Sequence, residues 1–278
     1  MKAKKSLGQH FLKSEKALRQ IVEAGDIKNT DTILEIGPGT GILTNRLLKL
    51  AKHVVAIEKD RELIHFLSEN FAAEIEQKQL TILDKDILLF DPETMRWYGK
   101  QYKLIANIPY YITGAIIEQF LSASFQPSLM VLLIQKEVAE RIVAKNHKES
   151  VLSIAVKAYG APRIIDKVPR GAFAPAPTVD SAIIAIESIS RDFFKDLPTS
   201  PGCDEKVFFS VLKAIFGRKR KQIGGSLSEY LDNRTLAQEI LRSIYIDTKT
   251  RPEDMTLDHW KSLVQAISKH TADKNGVQ

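Results

Sequence analysis

Apolar residues in the first half of the chain form short runs that alternate with stretches of helical spacing. The runs are rich in Ile, Leu and Val, which is typical of strands buried on both faces. They lie at residues 32–36, 54–58, 80–83, 102–107 and 129–135. Between them, apolar residues recur at helical spacing, as at Leu43, Leu47 and Leu48. This alternation predicts βαβ units, and therefore an α/β fold with helices on both faces of a largely parallel sheet.

The pattern changes after residue 135. A short helix is predicted at residues 137–143, and strands are predicted at residues 153–158, 163–168 and 182–189. Residues 196–202 are rich in Pro, Ser and Gly, which is typical of a linker. Beyond them, apolar residues again recur at helical spacing. We therefore predict a first domain of residues 1–195 and a smaller helical C-terminal domain of residues 196–278.

Composition narrows the class of protein. The 278 residues are 44% hydrophobic, which suffices for a core, and no apolar run approaches the ~20 residues that a membrane-spanning helix needs. The first residues lack the apolar core of a signal peptide. The single cysteine, Cys203, excludes an internal disulfide and supplies no metal cluster. These features predict a cytoplasmic protein without a metal site.

The chain carries a modest excess of positive charge, with 40 Lys and Arg against 34 Asp and Glu. Five lysines, at positions 2, 4, 5, 13 and 16, crowd the N-terminal segment, where Glu15 is the one acid. Residues 206–221 contain six basic residues and no acid. Such clusters are either solvated faces or the footprint of a polyanion, and the charges alone leave both interpretations open.

Three glycines follow the first predicted strand in the sequence EIGPGTG. Gly37, Gly39 and Gly41 would let the backbone turn tightly and approach a ligand at the start of a helix. Glu58 ends the second strand, where a carboxylate can accept both hydroxyls of a ribose. The spacing G-x-G-x-G differs from the dinucleotide fingerprint, and Glu58 could equally be a solvated acid at the edge of the sheet.

A third acid follows the third strand. Asp86 could accept a hydrogen bond from the exocyclic amine of an adenine, although Asp84 competes for this role and a turn aspartate is also common. Together the glycines, Glu58 and Asp86 stand at the ends of successive strands and predict an adenosine pocket. A nicotinamide-dependent oxidoreductase would share these features, and binding of a nicotinamide cofactor by the protein would distinguish this class.

The motif NIPYYIT, from Asn107 to Thr113, completes a series of matches to a known family. In order, the matching stretches are KKSLGQHFL, EIGPGTGILT, AIEKD, LDKDIL, NIPYYIT and PRGAFAPAPTVDSAII, which span about two thirds of the chain. The chain resembles class I S-adenosylmethionine-dependent methyltransferases, and within them the ribosomal RNA adenine N6,N6-dimethyltransferases of the small subunit. This resemblance implies a Rossmann-like methyltransferase sheet.

The resemblance implies a cofactor site and a base site. The residues implied to bind S-adenosylmethionine are His10, Leu12, Gly37, Glu58, Asp86 and Asn107. Members of the family commonly carry Asn at the position of His10. The residues implied to act on the target adenine are Asn107, Pro109, Tyr110 and Phe173. Asn107 and a backbone carbonyl would accept from the adenine amine, while Tyr110 and Phe173 would stack on the base.

The resemblance also implies a substrate. The family dimethylates two adjacent adenines in a hairpin near the 3′ end of small-subunit rRNA, during biogenesis of the 30S subunit. The basic stretch at Arg218, Lys219, Arg220 and Lys221 would contact this rRNA, and a monomer is expected. The alternatives are a large-subunit rRNA methyltransferase of the macrolide-resistance type, a DNA adenine methyltransferase, and a mainly non-catalytic assembly factor.

Overall fold

The computed structural model describes residues 9–195, 197, 205–218 and 221–275. It divides the chain into two compact units. The first, here called the sheet unit, comprises Met1–Glu140 and Gly160–Ile189. The second, here called the helical unit, comprises Arg141–Tyr159 and Ser190–Gln278. No helix within the described ranges is both long and apolar enough to cross a membrane.

Nine strands lie in the described part of the sheet unit. They are β1 (Phe11–Leu12), β2 (Thr32–Ile36), β3 (His53–Glu58), β4 (Leu80–Asp84), β5 (Lys103–Asn107), β6 (Leu129–Gln135), β7 (Ala161–Val168), β8 (Phe173–Ala174) and β9 (Ser181–Glu187). Within the described residues, seven of them form one sheet in the order β4-β3-β2-β5-β6-β9-β7, and β1 pairs with β8 separately. Strands β2 to β6 are parallel, whereas β9 runs antiparallel to β6 and β7. The five strands predicted in the first half are confirmed.

Both faces of the central strands are buried. Every residue of β2 is buried, as are the first six residues of β6. Because successive side chains of a strand point to opposite faces, this burial means that the sheet is covered on both sides. The helices of the sheet unit are α1 (Glu15–Ala24), α2 (Ile42–Leu48), α3 (Arg61–Asn70), α4 (Ala72–Glu76) and α5 (Thr113–Leu121), and α6 (Lys136–Ile142) begins in it. The predicted α/β architecture is therefore confirmed.

The helical unit has its own core. Its helices are α7 (Val151–Tyr159), α8 (Asp192–Lys195), α9 (Glu205–Phe216), α10 (Ile223–Leu231), α11 (Arg234–Ser243) and α12 (Leu257–Asn275). Phe208, Leu212, Leu227 and Trp260 are fully buried and lie in one apolar cluster. The helical character predicted for the C-terminal region is confirmed.

The prediction of a strand at residues 153–158 is wrong, because this segment belongs to α7. Ile154, Val156 and Ala158 alternate as they would in a strand. Ile154 and Ala158 are also four residues apart, which places them on one side of a helix, and both join the apolar cluster of the helical unit. The structure consequently groups Arg141–Tyr159 with the C-terminal residues, which differs from the predicted division at residue 196.

Candidate active site

A cavity opens at the carboxyl ends of β2, β3 and β5, within the sheet unit. Parallel α/β sheets bind ligands at this edge, because the loops and helix N-termini that follow the strands converge there. Its lining includes eight residues predicted from the sequence to act on cofactor or base, namely His10, Leu12, Gly37, Glu58, Asp86, Asn107, Pro109 and Tyr110. The structure therefore brings together residues that are spread over a hundred positions of the chain.

Residues 9–13, here called the N-terminal strap, form part of the cavity wall. Leu12 lies opposite Phe173, and Phe11 lies opposite Ala174, in the antiparallel pair of β1 and β8. The Gln9 side chain donates from Nε2 to Asp60 Oδ2 at 3.1 Å. Because it is held at both ends, the strap fixes His10 and Leu12 beside the cavity.

The glycine loop adopts a backbone that other residues rarely adopt. Gly37 and Gly39 have φ values of +64° and +58°. A Cβ atom at Gly37 would meet nothing within 4 Å, so the loop leaves open space on the cavity side. At Gly39 a Cβ atom would lie 3.1 Å from the Phe11 ring. The loop is therefore open to a ligand at its first glycine and closely covered by the strap at its second.

Glu58 is oriented by the turn that follows it. Glu58 is 8% exposed, and its Oε1 accepts from the backbone N–H groups of Lys59 at 2.9 Å and Asp60 at 3.0 Å. Burial raises the pKa of this carboxyl, while the two backbone hydrogen bonds act against that rise. A weaker interaction with the Gly39 backbone N–H also favours the charged form. These backbone donors orient the carboxylate toward the glycine loop, on the cavity side of the sheet.

The structure separates the two aspartates that the sequence left as alternatives. Asp86 lines the cavity, and its Oδ1 accepts from Leu88 N–H at 3.0 Å. Lys59 Nζ approaches Asp86 Oδ2 at 3.4 Å. Asp84 is not among the described residues that line the cavity; its half-exposed carboxylate faces Arg61 at 3.7 Å. Of the two, Asp86 is the one that lines the cavity.

Glu35 also lines the cavity, although the sequence reasoning did not single it out. It is 1% exposed, and within the described chain its Oε2 has no hydrogen-bond partner. Burial raises the pKa of this carboxyl to about 8; the neighbouring Thr44 hydroxyl acts against the rise, and the nearby negative charge of Glu58 adds to it. The available signal was an acid inside the otherwise apolar strand TILEI, where an uncompensated charge is costly.

Asn107 ends β5, and its side-chain amide is oriented by the strap. Nδ2 donates to the backbone carbonyl of His10 at 3.2 Å. This bond occupies the donor side of the amide and leaves Oδ1 as an acceptor on the other side. Two residues further on, the Pro109 carbonyl accepts from Ile112 N–H at 3.2 Å and begins a short 3₁₀ turn. That turn carries Tyr110 to the cavity.

The Tyr110 ring lies between two fixed partners. Its hydroxyl group shares a hydrogen bond of 2.7 Å with Ser181 Oγ. Burial raises the pKa of this phenol. The His10 ring is stacked against it, with 6.0 Å between the ring centroids and 22° between the ring planes. His10 is itself held, because its Nδ1 lies 2.8 Å from the Pro175 carbonyl.

Phe173 does not join Tyr110 in the cavity. It is 4% exposed and belongs to the apolar core, and it is not among the described residues that line the cavity. The cause is the pairing of β1 with β8, which sets Phe173 against Leu12 of the strap. The sequence suggested a free aromatic face at this position, whereas the structure uses the ring for packing.

Part of the predicted basic stretch lies in the helical unit. Arg218 and Lys221 both contact the carboxylate of Glu229. Lys219 and Arg220 lie outside the described residues. Two cations on one carboxylate leave an excess positive charge at this surface.

Comparison with known proteins identifies the family. Residues 1–269 match the family model described as ribosomal RNA adenine dimethylase. The chain belongs to this family. A relative of this adenine dimethylase in Dehalococcoides mccartyi, named Ribosomal RNA small subunit methyltransferase A, is 40% identical over 264 residues, which cover 95% of this chain and 88% of the relative. The predicted family is therefore confirmed.

Solved structures confirm the predicted methyltransferase fold of this dimethylase. A dimethyladenosine transferase from Plasmodium falciparum superposes with a TM-score of 0.79 at 26% identity, covering 94% of this chain and 98% of that one. The 23S rRNA methyltransferase ErmE superposes with a TM-score of 0.72 at 23% identity, covering 93% of this chain and 99% of that one. At that identity, the likeness to ErmE shows the shared fold alone.

Proposed function

We propose that this dimethylase transfers methyl groups from S-adenosylmethionine to N6 of two adjacent adenines near the 3′ end of small-subunit rRNA, in a hairpin of the assembling 30S subunit. One observation carries the proposal. The Asn107 amide, oriented by the His10 carbonyl at 3.2 Å, lies in the same cavity as Glu58 and Asp86. The name of the Dehalococcoides mccartyi relative supports a small-subunit substrate.

The residues present fit S-adenosylmethionine. Glu58 offers its carboxylate to the ribose hydroxyls, and Asp86 offers its own to the adenine amine. Gly37 leaves open space on the cavity side, where any side chain would intrude. His10 and Leu12 would cover the cofactor from the strap, and Asn107 would border it at β5. When bound, the cofactor supplies a methyl group attached to a sulfonium, which is electrophilic.

The residues around Asn107 suit an adenine amine. N6 is a poor nucleophile, because its lone pair is delocalised into the ring. Asn107 Oδ1 and a backbone carbonyl would accept its two hydrogens and direct the lone pair out of the ring plane. The Pro109 carbonyl already accepts from Ile112, so we favour the Ile108 carbonyl as the second acceptor. Such preorganised acceptors stabilise the charge that develops as the new bond forms.

Tyr110 provides a face on which the target base can stack. Its hydroxyl group is anchored to Ser181, which holds the ring in one orientation. Base stacking on an aromatic side chain typically contributes about 1–3 kcal/mol per base. Pro109 has φ of −58°, and its ring restricts the backbone that positions Tyr110. No general base is required before methyl transfer, because the amine proton becomes acidic only after the new bond forms.

The rRNA would be held outside the cavity by basic residues. Arg218, Lys219, Arg220 and Lys221 would contact phosphates, within the C-terminal region that we propose to be the rRNA-binding domain, and the protein would act as a monomer. Phosphate contacts position a nucleic acid without reading its sequence, so the shape of the RNA must select the hairpin.

A direct experiment tests this function. Small subunits that lack the modification are incubated with the protein and methyl-labelled S-adenosylmethionine, and the labelled nucleotides are mapped. We expect two adjacent dimethylated adenines near the 3′ end of the small-subunit rRNA. Label in large-subunit rRNA or in DNA would overturn the proposed substrate, and binding of the subunit without any transfer would indicate an assembly factor.

A further inference from the structure

Tyr245 carries an exposed aromatic ring on a strained backbone. It follows α11 in the helical unit and is 97% exposed, which makes it the most exposed of the large hydrophobic residues in the described part of the chain. Its φ of +58° lies in the left-handed region, which is unfavourable for any residue with a Cβ atom. A ring this exposed adds little to a core, so packing does not explain why a tyrosine stands at this position.

The left-handed backbone follows from the way α11 ends. Tyr245 N–H donates to the Arg242 carbonyl at 3.2 Å, and Ile246 N–H donates to the Leu241 carbonyl at 2.9 Å. Ile246 is buried in the apolar cluster of the helical unit. This is the Schellman arrangement, in which one left-handed residue ends a helix, and glycine is usual at that residue. The fold therefore requires the left-handed turn, but it does not require the ring of Tyr245.

Cations accompany the ring along this segment. Between positions 242 and 251 the chain carries three basic residues, Arg242, Lys249 and Arg251, and one acid, Asp247. All four side chains belong to exposed residues. Asp247 Oδ1 accepts from the backbone N–H of Lys249 at 2.8 Å, so its carboxylate is engaged within its own turn. Tyr245 consequently lies on a surface with an excess of positive charge.

The same segment is fixed beside the basic stretch. Gly224 N–H donates to the Thr248 carbonyl at 3.0 Å, and Ile223 N–H donates to the Thr250 carbonyl at 2.8 Å. These bonds hold the segment against the N-terminus of α10, which begins two residues after Lys221. An exposed aromatic ring among cations is typical of surfaces that bind unpaired nucleic acid, because the cations attract phosphates and the ring stacks on a base.

We propose that Tyr245 stacks on an unpaired base of small-subunit rRNA when the helical unit binds the subunit. This inference rests on the proposed function and extends it by naming a contact that acts through stacking and not through charge. Unpaired bases in loops and bulges expose a flat face, which an aromatic side chain can bind whatever the base. An acidic protein partner would account for the cations, but it would leave the flat face of the ring unexplained.

Three substitutions separate the ring from the backbone. Tyr245→Gly removes the ring and relieves the left-handed strain, Tyr245→Ala removes the ring alone, and Tyr245→Phe keeps the ring without its hydroxyl group. The control is Ser188→Gly in the sheet unit, where φ is +52° and the side chain has no ring. Each full-length protein is titrated with unmethylated small subunits at several salt concentrations, and its thermal unfolding is recorded.

We expect Tyr245→Gly and Tyr245→Ala to lower affinity for the subunit by roughly 5- to 150-fold, the effect of losing one stacked base. Tyr245→Phe and Ser188→Gly should bind like the wild type. The slope of log affinity against log salt should stay the same in all four variants, because no phosphate contact is lost. Wild-type affinity in Tyr245→Gly and Tyr245→Ala, or a flattened salt slope in them, would overturn the proposal.

Thermal unfolding checks that the ring serves RNA binding and not the fold. Tyr245→Gly should unfold at a higher temperature than Tyr245→Ala, because glycine adopts the left-handed backbone without strain. Both variants should nevertheless show the same loss of affinity for the subunit. If affinity instead recovered with stability in Tyr245→Gly, the ring would have no role in binding and the proposal would be wrong.

A crosslinking experiment distinguishes rRNA from a ribosomal protein as the partner. The photoreactive residue p-azidophenylalanine is introduced in place of Tyr245, and its complex with the small subunit is irradiated. We expect a crosslink to an unpaired rRNA nucleotide. Crosslinks to ribosomal proteins without any to rRNA would overturn the proposal.

Failure of this contact is distinguishable from failure of the proposed function. If the wild-type protein does not bind the small subunit, both are wrong. If it binds without methylating any adenine, the proposed function fails and the Tyr245 variants still test the contact. If it binds and methylates the expected adenines while the Tyr245 variants bind like the wild type, the contact alone is wrong.

Discussion

At the scale of single residues, the Asn107 amide has its nitrogen hydrogen-bonded within the protein and its oxygen available to a substrate. Its Nδ2 is engaged by the His10 carbonyl, which leaves Oδ1 to accept from the substrate amine. The amide needs no reorientation when the base arrives. An acceptor positioned in advance acts mainly on the chemical step, because it costs no reorganisation as the reaction proceeds.

Asn107→Ala should therefore lower the rate of methyl transfer by about 10²–10³-fold, which corresponds to roughly 2.7–4 kcal/mol of transition-state stabilisation. Subunit binding should stay close to wild type. Single-turnover assays at saturating subunit and cofactor measure the chemical step alone. Asn45→Ala, at an exposed position of α2, serves as the control. Transfer by Asn107→Ala at nearly the wild-type rate would contradict the role proposed for the amide.

Glu35 makes the stability of the sheet unit depend on pH. Burial raises the pKa of its carboxyl to about 8, against an ordinary value of 4.5. Between these two pH values the folded protein holds a proton that the unfolded chain has released. The free energy of unfolding therefore falls as pH rises through this window and levels off above about pH 8. Glu58 also has a raised pKa and adds a change of the same sign.

Glu35→Gln should remove the contribution of this one group. One pKa unit corresponds to about 1.4 kcal/mol, so the variant should gain on the order of 3–5 kcal/mol relative to the wild type between pH 4.5 and 8. Denaturant unfolding at several pH values measures the difference. Glu23→Gln, at an exposed position of α1, is the control. If the stability difference between Glu35→Gln and the wild type did not change with pH, the inference that the Glu35 carboxyl is buried and protonated would be wrong.

At the scale of elements, the strap and the glycine loop depend on each other. The Phe11 ring occupies the space into which a side chain at Gly39 would project. Two different requirements therefore exclude a side chain at this position, namely the left-handed backbone and the covering ring. The loop keeps its conformation because the strap packs on it, and the strap stays in place because β1 pairs with β8.

Gly39→Ala should weaken both stability and cofactor binding. A non-glycine residue in the left-handed region costs roughly 1–2 kcal/mol, and displacement of Phe11 adds to this. Calorimetry should show an affinity for S-adenosylmethionine reduced by at least fivefold. The matched control is Gly114→Ala in α5, where the added Cβ meets nothing within 4 Å. There we expect unchanged affinity and a gain of about 0.5–1 kcal/mol in stability. Equal changes in stability and cofactor affinity in Gly39→Ala and Gly114→Ala would contradict the dependence of the glycine loop on the strap.

At the scale of the whole molecule, the net charge of +6 is unevenly distributed along the chain. Within the described residues, acidic side chains form ion pairs with some of the lysines and arginines that make up this positive charge. Lys16 Nζ lies 2.7 Å from Asp166, whose pKa is lowered to about 2 by hydrogen bonds from Lys16 and Gln20. Glu229 contacts both Arg218 and Lys221. Fewer than four full charges of the basic stretch are therefore free to bind a polyanion.

Replacement of Arg218, Lys219, Arg220 and Lys221 by Gln should weaken binding to the small subunit and flatten its dependence on salt. Each lost phosphate contact lowers the slope of log K against log salt by about 0.7–0.9. Affinity for S-adenosylmethionine should not change. The control replaces four exposed lysines of the sheet unit, Lys49, Lys52, Lys78 and Lys100, which removes the same charge. Equal salt slopes in the two variants would mean that the basic stretch is only a solvated face.

The sequence alone determined the class of fold, the family and the order of the site residues along the chain. Strands buried on both faces need uninterrupted apolar runs, so all five strands of the first half were readable from hydrophobicity. The glycines, Glu58, Asp86 and Asn107 follow those strands directly. The carboxyl ends of neighbouring parallel strands lie at the same edge of a sheet. The sequence pattern alone therefore predicted that these residues share one cavity.

Where one sequence pattern fits two environments, only the tertiary structure showed which environment the residues occupy. The alternation in α7 matched a strand, but contacts with the helical unit stabilised a helix. Phe173 matched an exposed stacking residue, but the two-residue pair of β1 and β8, too short to predict, placed it in the core. Glu35 gained its raised pKa, and His10 its position against Tyr110, from neighbours distant in sequence. Hydrophobic periodicity reports local burial, whereas such pairings depend on which segments meet in the folded chain.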